Sequence, residues 1–253
     1  MMDFQARVAR VKAMGFLEYW TEGVYNVTLL KSFPLGVAYL GVVFLSPLWI
    51  RTFPPIGGLR KLMIAYNLLC AILSAYSVFY AGVALVEGWP HSLFDLTLDT
   101  RAQHALHVYW LTKKIELMDT VFMILRHKTR QMSFLHVYHH FSMLLASEFG
   151  YTNGPWPAVG FVLGMNSVIH VLLYYYYALT ALSPGQRPLW KKTLTVLQLV
   201  QFYIGLVHQV VGYFYYGFCY YAIFYELTMI ALFSHFYYLA YIKPKKGSTK
   251  KME

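Results

Sequence analysis

Seven apolar stretches, each near the ~20 residues a helix needs to cross a bilayer, leave this chain few alternatives to a helical bundle in a membrane. They run over 33–50, 62–86, 103–125, 133–151, 157–181, 190–216 and 220–242. Lipid offers no partner to a backbone N–H or C=O, so segments of this kind satisfy their own polar groups as helices. The breaks between them are turn chemistry: Pro54-Pro55 with Gly57-Gly58, Gly88-Trp89-Pro90, Arg126 to Arg130, Asn153-Gly154-Pro155, Pro184-Gly185 and Pro244. Charged residues make up 13% of the chain and apolar ones 58%, against about 25% charged in soluble domains. The expectation is an all-α integral membrane protein of seven transmembrane helices, divided into an N-terminal segment (1–32), a helical domain (33–242) and a basic tail (243–253). No repeat and no soluble second domain is visible. No signal-peptide cleavage pattern precedes the first stretch. Cys70 and Cys219 both lie in apolar segments, where they read as small buried hydrophobes rather than metal ligands or a disulfide.

The net charge of +10 is informative only by location, because Lys and Arg gather on the cytoplasmic side of membrane proteins. Three basic residues fall in each of 51–61, 126–132 and 182–192, and five follow Tyr241, whereas the alternate loops hold only Arg101. That alternation places the C-terminus in the cytoplasm and the N-terminus in the lumen. Arg7, Arg10, Lys12 and Lys31 run against it, and the sequon Asn26-Val27-Thr28, usable only on the lumenal side, supports it. The terminal Lys250-Lys251-Met252-Glu253 is similar to the dilysine retrieval signal of endoplasmic reticulum membrane proteins, an address read by a receptor. A basic tail attracted to anionic lipid is the plainer reading.

Inside these stretches sit polar groups that hydrocarbon does not tolerate without a partner or a purpose. His136, His139 and His140 share one helical face. With the fourth span running inward from the cytoplasm, they lie roughly 5–12 Å below its entry at ~1.5 Å per residue. Lys113, Glu116 and Asp119 recur at steps of three in the inner half of the third span. Asn166 and His170 are one turn apart in the fifth, followed by Tyr174 to Tyr177, and Thr195, Gln198 and Gln201 step by three in the sixth. Taken singly, the amides read as interhelical glue, Lys113 with Glu116 as an ion pair, and His208 and His235 as packing residues. His104 and His107 fall near the other end of the third span. Four polar stripes agreeing in depth indicate an active site. Imidazoles there could act as nucleophile, general base or metal ligand, with Glu116, Asp119, Gln198 and Asn166 available to set their tautomer and basicity.

At these residues the chain resembles the fatty acid elongase family, the condensing enzymes of the endoplasmic reticulum that extend very-long-chain acyl-CoAs. The resemblance rests on four motifs in order: Lys113-x-x-Glu116-x-x-Asp119-Thr120, His136-x-x-His139-His140, Asn166-x-x-x-His170 with Tyr174, and Thr195-x-x-Gln198-x-x-Gln201. Leu173 stands where many members have Met, a near-isovolumetric change that bears mainly on tunnel shape. The resemblance implies six helices around a closed-ended substrate tunnel with one helix peripheral. It implies acyltransfer between a long-chain acyl-CoA and malonyl-CoA, giving 3-oxoacyl-CoA, CoA and carbon dioxide, with no cofactor and no metal. It implies an acyl-histidine intermediate at His139, with His136 and His140 as base or thioester polariser, and His170 and Asp119 completing the catalytic set. Lys113, Glu116, Asn166, Tyr174, Gln198 and Gln201 would hold substrate, and Arg126, Lys128, Arg130, Lys191 and Lys192 the CoA phosphates. The positive-inside bias accounts for most of those basic residues without a ligand. Gln131 resembles the subgroup acting on polyunsaturated and very long chains rather than saturated ones. Implied partners are the bilayer and the reductases and dehydratase of the elongation cycle; a homo-oligomer is compatible, and nucleic acid is not expected. The alternatives are a membrane di-iron desaturase or hydroxylase, for which a single histidine box is too few ligands, and a seven-helix receptor or transporter.

Overall fold

A computed structural model describes residues 15–185 and 188–243. The segment before residue 15, Arg187, and the tail carrying Lys250 and Lys251 lie outside the described residues. Those described form helices and connecting turns, with no strand among them. The principal helices are α1 (Phe16–Thr28), α2 (Phe33–Thr52), α3 (Arg60–Val86), α4 (Thr100–Glu116), α5 (Met118–Leu125), α6 (Phe134–Asn153), α7 (Pro157–Leu182), α8 (Lys191–Val211) and α9 (Tyr221–Tyr237). The last two continue as short π-helical turns, Gly212–Tyr216 and Tyr238–Ile242. Gly217, at φ 78°, ends the first of these in a left-handed conformation that a side chain would resist.

Among the described residues, five segments are long and apolar enough to cross a membrane: Phe33–Thr52, Arg60–Val86, Pro157–Leu182, Lys191–Tyr216 and Tyr221–Ile242. This is a multi-pass membrane protein. Leu35, Phe44, Leu48, Ile72, Phe79, Val200 and Val207 are exposed along these helices, as faces turned to lipid should be. The stretches expected as third and fourth spans are helical too, but polar. The third is interrupted at Leu117 between α4 and α5, where the turn tightens and Thr120 N–H bonds the Leu117 carbonyl at 3.2 Å. Lys113, Glu116 and Thr120 on this stretch are almost fully buried, so its polar face is satisfied by protein and not by lipid.

Local chemistry fixes the helix starts. Asp99 caps α4 by accepting from the N–H groups of Arg101 and Ala102, both at 2.8 Å. Ser133 caps α6 by accepting from the His136 N–H at 3.3 Å. Pro157 begins α7, where its missing N–H costs nothing.

Packing runs α3 against α4 and α7, α7 against α8, α8 against α9, α9 against α6, and α6 against α4. The α2 helix lies on α6 and α5. One end of this arrangement is tied by the Ile56 N–H to the Leu125 carbonyl at 2.8 Å, and by the Arg60 guanidinium to the carbonyls of Ala181 and Leu182 at the end of α7. The opposite end is tied by Asp99 N–H to Pro155 O and Ala158 N–H to Asp95 O, both 3.2 Å. There His208 also meets the Leu93 carbonyl at 2.6 Å and stacks on Phe94, a packing and hydrogen-bonding role. Trp20 of α1 packs edge-on against Tyr220, Tyr221 and Phe224.

Candidate functional site

The site is assembled from α4, α5, α6 and α7, near the end where α5 stops and α6 begins. On α4, steps of three place Lys113 and Glu116 on one buried face, 3% and 0% exposed. The ammonium of Lys113 donates to both Glu116 oxygens at 3.0 Å. From α7, His170 reaches the same carboxylate, Nδ1 to Oε1 at 3.0 Å, and lies 3.2 Å from the Lys113 nitrogen. Three ionisable groups from two helices thus satisfy one another, which is the condition for keeping charge in a low-dielectric interior. One turn before Lys113, Tyr109 donates to Asn166 Oδ1 at 2.7 Å. Asn166 therefore anchors α7 to α4, and its oxygen is engaged by protein.

The break at Leu117 turns the next polar pair toward α6. Asp119 accepts from the Tyr174 hydroxyl at 2.8 Å and stands 4.0 Å from His140 Nε2. Thr120 shares a 2.8 Å hydrogen bond with His136 Nε2 and a 3.0 Å one with the Tyr39 hydroxyl of α2. His136 and His140 are one turn apart with ring centres separated by 4.3 Å. His139 points between its neighbours, its ring centre 5.5 Å from His140 and 6.1 Å from His170, nearly parallel to the latter at 25°. Among the described residues its imidazole has no hydrogen-bond partner and keeps partial exposure. The three histidines of α6 are thus differently placed: one bound to a threonine, one beside a carboxylate, one unengaged.

The α8 stripe divides. Gln201 is 8% exposed, its carbonyl oxygen without a partner among the described residues, and Gln198 is half-buried. Thr195 is drawn away, donating to Lys191 O at 3.3 Å and lying 3.4 Å from the Tyr241 hydroxyl of the turn after α9. Arg126 is half-buried, while Lys128, Arg130 and Lys191 are exposed at the end where α5 stops and α8 begins; Gln131 is exposed beside them. His104 bonds Tyr76 at 2.6 Å and His107 stacks on Tyr151, both apart from the cluster. Among the described residues, no three His, Cys, Asp or Glu side chains converge in a way suited to a metal ion.

Three further buried residues were not singled out from the sequence. Tyr39 sits in the first apolar stretch, where one tyrosine looks like any interfacial aromatic. Tyr109 was findable as the residue one turn before Lys113 on the same face. Glu148 was findable as a carboxylate in an apolar helix, yet it faces away from the histidines and accepts the backbone N–H groups of Lys31 and Ser32 at 2.8 and 2.6 Å.

Residues 26–249 match the ELO: GNS1/SUR4 family. The chain is 35% identical over 235 residues to very long chain fatty acid elongase 5 of Tachysurus fulvidraco, covering 88% of this chain and 79% of the relative. It is 34% identical over 230 residues to very long chain fatty acid elongase 7 of Rattus norvegicus, covering 84% and 80%. Against very long chain fatty acid elongase 4 of Mus musculus it is 35% identical over 239 residues, covering 86% and 73%. With the match spanning nearly every helix that builds the histidine cluster, the chain belongs to the GNS1/SUR4 (ELO) family, whose named relatives are fatty acid elongases.

Proposed function

We propose that this protein condenses a long-chain acyl-CoA with malonyl-CoA to give 3-oxoacyl-CoA, CoA and carbon dioxide, through an acyl group carried on His139. The observation that supports this most directly is the unengaged imidazole of His139 beside His140 and the His170–Glu116–Lys113 network. In the first half, a His139 nitrogen attacks the thioester carbonyl, the carbon–sulfur bond breaks, and the CoA thiolate leaves to take up a proton. His140, 4.0 Å from Asp119, is positioned to polarise the carbonyl or relay that proton. In the second half, malonyl-CoA loses carbon dioxide, the resulting carbanion attacks the acyl carbon, and the His139 nitrogen leaves and takes up a proton from solvent to restore the neutral imidazole.

Seven spans with the basic loops in the cytoplasm are the orientation that fits this chemistry. Residues 51–61, 126–132 and 182–192 are then cytoplasmic, along with the site and the exposed Lys128, Arg130 and Lys191. CoA phosphates reach those cations while the acyl chain runs inward between α3, α4, α6, α7, α8 and α9 as a tunnel, with α2 outside. The dilysine tail fits residence in the endoplasmic reticulum.

The test is elongation of a panel of acyl-CoAs with labelled malonyl-CoA by the full chain in membranes, wild type against His139→Ala. Loss of product with the protein still membrane-inserted is expected; unchanged condensation would sink the nucleophile assignment. Intact mass after incubation with acyl-CoA alone should show the chain plus one acyl group. No adduct in wild type would favour direct condensation.

A further inference from the structure

Glu226 has no part in the chemistry above, yet its carboxyl group is only 6% exposed inside an apolar helix, and among the described residues its Oε2 has no hydrogen-bond partner. Its position is defined from two sides. On α9 its neighbours Tyr225 and Thr228 bond Ser142 and Tyr138 of α6, at 3.2 and 3.0 Å. Glu226 is therefore level with residues 138–142, at the depth of His139 and His140. Across from it, a methyl group added at Gly205 of α8 would fall 2.7 Å from Oε1 and 3.0 Å from Cδ, so the carboxylate rests directly on the glycine backbone. Gly205 is one turn, about 6 Å, inward of Gln201 on α8. Gln198, Gln201, Gly205 and His208 form a single stripe, which is buried or half-buried while Val200, Ile204 and Val207 face out. The glycine thus lets the carboxylate sit on the inward stripe of α8.

Among the described residues nothing donates to either of two buried oxygens, Gln201 Oε1 and Glu226 Oε2, the second of which rests on the α8 turn that follows Gln201. A buried acceptor left unmatched costs roughly 1–3 kcal/mol, more when charged. Apolar substrate cannot relieve that cost, since a hydrocarbon chain has no donor. A hydroxyl can. We infer that Gln201 and Glu226 form a polar station in the acyl path that takes fatty acyl chains bearing a hydroxyl a few carbons from the thioester, the hydroxyl donating to Glu226 Oε2. The station is at the level of the histidines, so the matching hydroxyl lies within the first several carbons from the thioester and not at the methyl end. This rests on the elongase reading above.

The experiment uses the full chain in membranes with labelled malonyl-CoA and saturated acyl-CoAs of one length, the hydroxyl walked along the chain and the unsubstituted chain as reference. In wild type, kcat/KM relative to the unsubstituted chain should peak at one position within the first several carbons from the thioester. Glu226→Leu should flatten that peak by roughly fivefold or more, the scale of one buried hydrogen bond lost. Glu226→Gln, which keeps an acceptor of the same shape, should retain the peak position. Gly205→Ala, which displaces the carboxylate without removing it, should flatten the peak as well. A wild-type profile without a favoured position, or a peak that survives Glu226→Leu or Gly205→Ala, would overturn the station. Failure to elongate any chain, substituted or not, would instead overturn the functional reading on which it rests.

Discussion

Glu116 and His170, separated by 54 residues of sequence, meet at 3.0 Å in the interior and share that contact with the Lys113 ammonium. The carboxylate is completely enclosed, so its charge is balanced by these partners and not by water. Removing one member leaves another charged and buried, which typically costs 3–5 kcal/mol. Glu116→Leu should therefore lower the thermal midpoint of the detergent-solubilised protein sharply. Adding Lys113→Met to it should recover much of that midpoint without recovering elongation. Recovery of both would mean the pair is structural alone.

Tyr174 restrains Asp119 through a single hydroxyl. Tyr174→Phe keeps the ring and its packing against Tyr66 but removes its hydrogen bond to the carboxylate. The expected result is a fall in kcat of roughly tenfold, the scale of one hydrogen bond to a charged group, with a thermal midpoint close to wild type. An unchanged turnover would show that the placement of Asp119 is immaterial to the reaction.

Thr120 joins α2 to the histidine helix by bonding both Tyr39 and His136. Thr120→Val is nearly isosteric and removes both bonds; Tyr39→Phe removes only one. The valine variant should lose activity by a larger factor than the phenylalanine variant. Equal losses in the two would place the effect on α2 packing and not on the orientation of His136.

Glu148 tests structure without chemistry. It receives the Lys31 and Ser32 N–H groups at the start of α2, where Ser32 also accepts the Trp110 indole N–H at 2.9 Å. Glu148→Ala strands two donors, and about 2–4 kcal/mol of stability should be lost at roughly 1–2 per orphaned group. Turnover per folded molecule should hold, because the carboxylate does not approach the histidines. A kcat loss with an unshifted thermal midpoint would contradict this division.

Much of the bundle was legible because hydrocarbon punishes exceptions. An unbroken apolar run in lipid must be helical, and Pro or Gly pairs must end it, so the expected 33–50, 62–86 and 157–181 differ from α2, α3 and α7 by two residues or fewer at each end. The polar residues announced themselves by the same logic, since Lys113, Glu116 and His170 have no tolerable place in a greasy helix except beside one another. The break at Leu117 was not legible, because nothing in Glu116-Leu117-Met118 is a helix breaker. Thr195 was misleading for a related reason: period-three spacing put it with Gln198 and Gln201, whereas its hydroxyl turns toward Lys191 and Tyr241.

The sequence by itself determined that this chain is a helical membrane protein and which side chains must find partners inside it. Only the tertiary structure decided who those partners are. Periodicity names the face on which a residue stands but not the helix opposite, and the distance between His139 and His170, or between Glu226 and Gly205, is set by how whole helices pack. That packing leaves His139 unengaged while His136 and His140 stand beside Thr120 and Asp119, a difference that three identical imidazoles in one helix do not carry in their spelling.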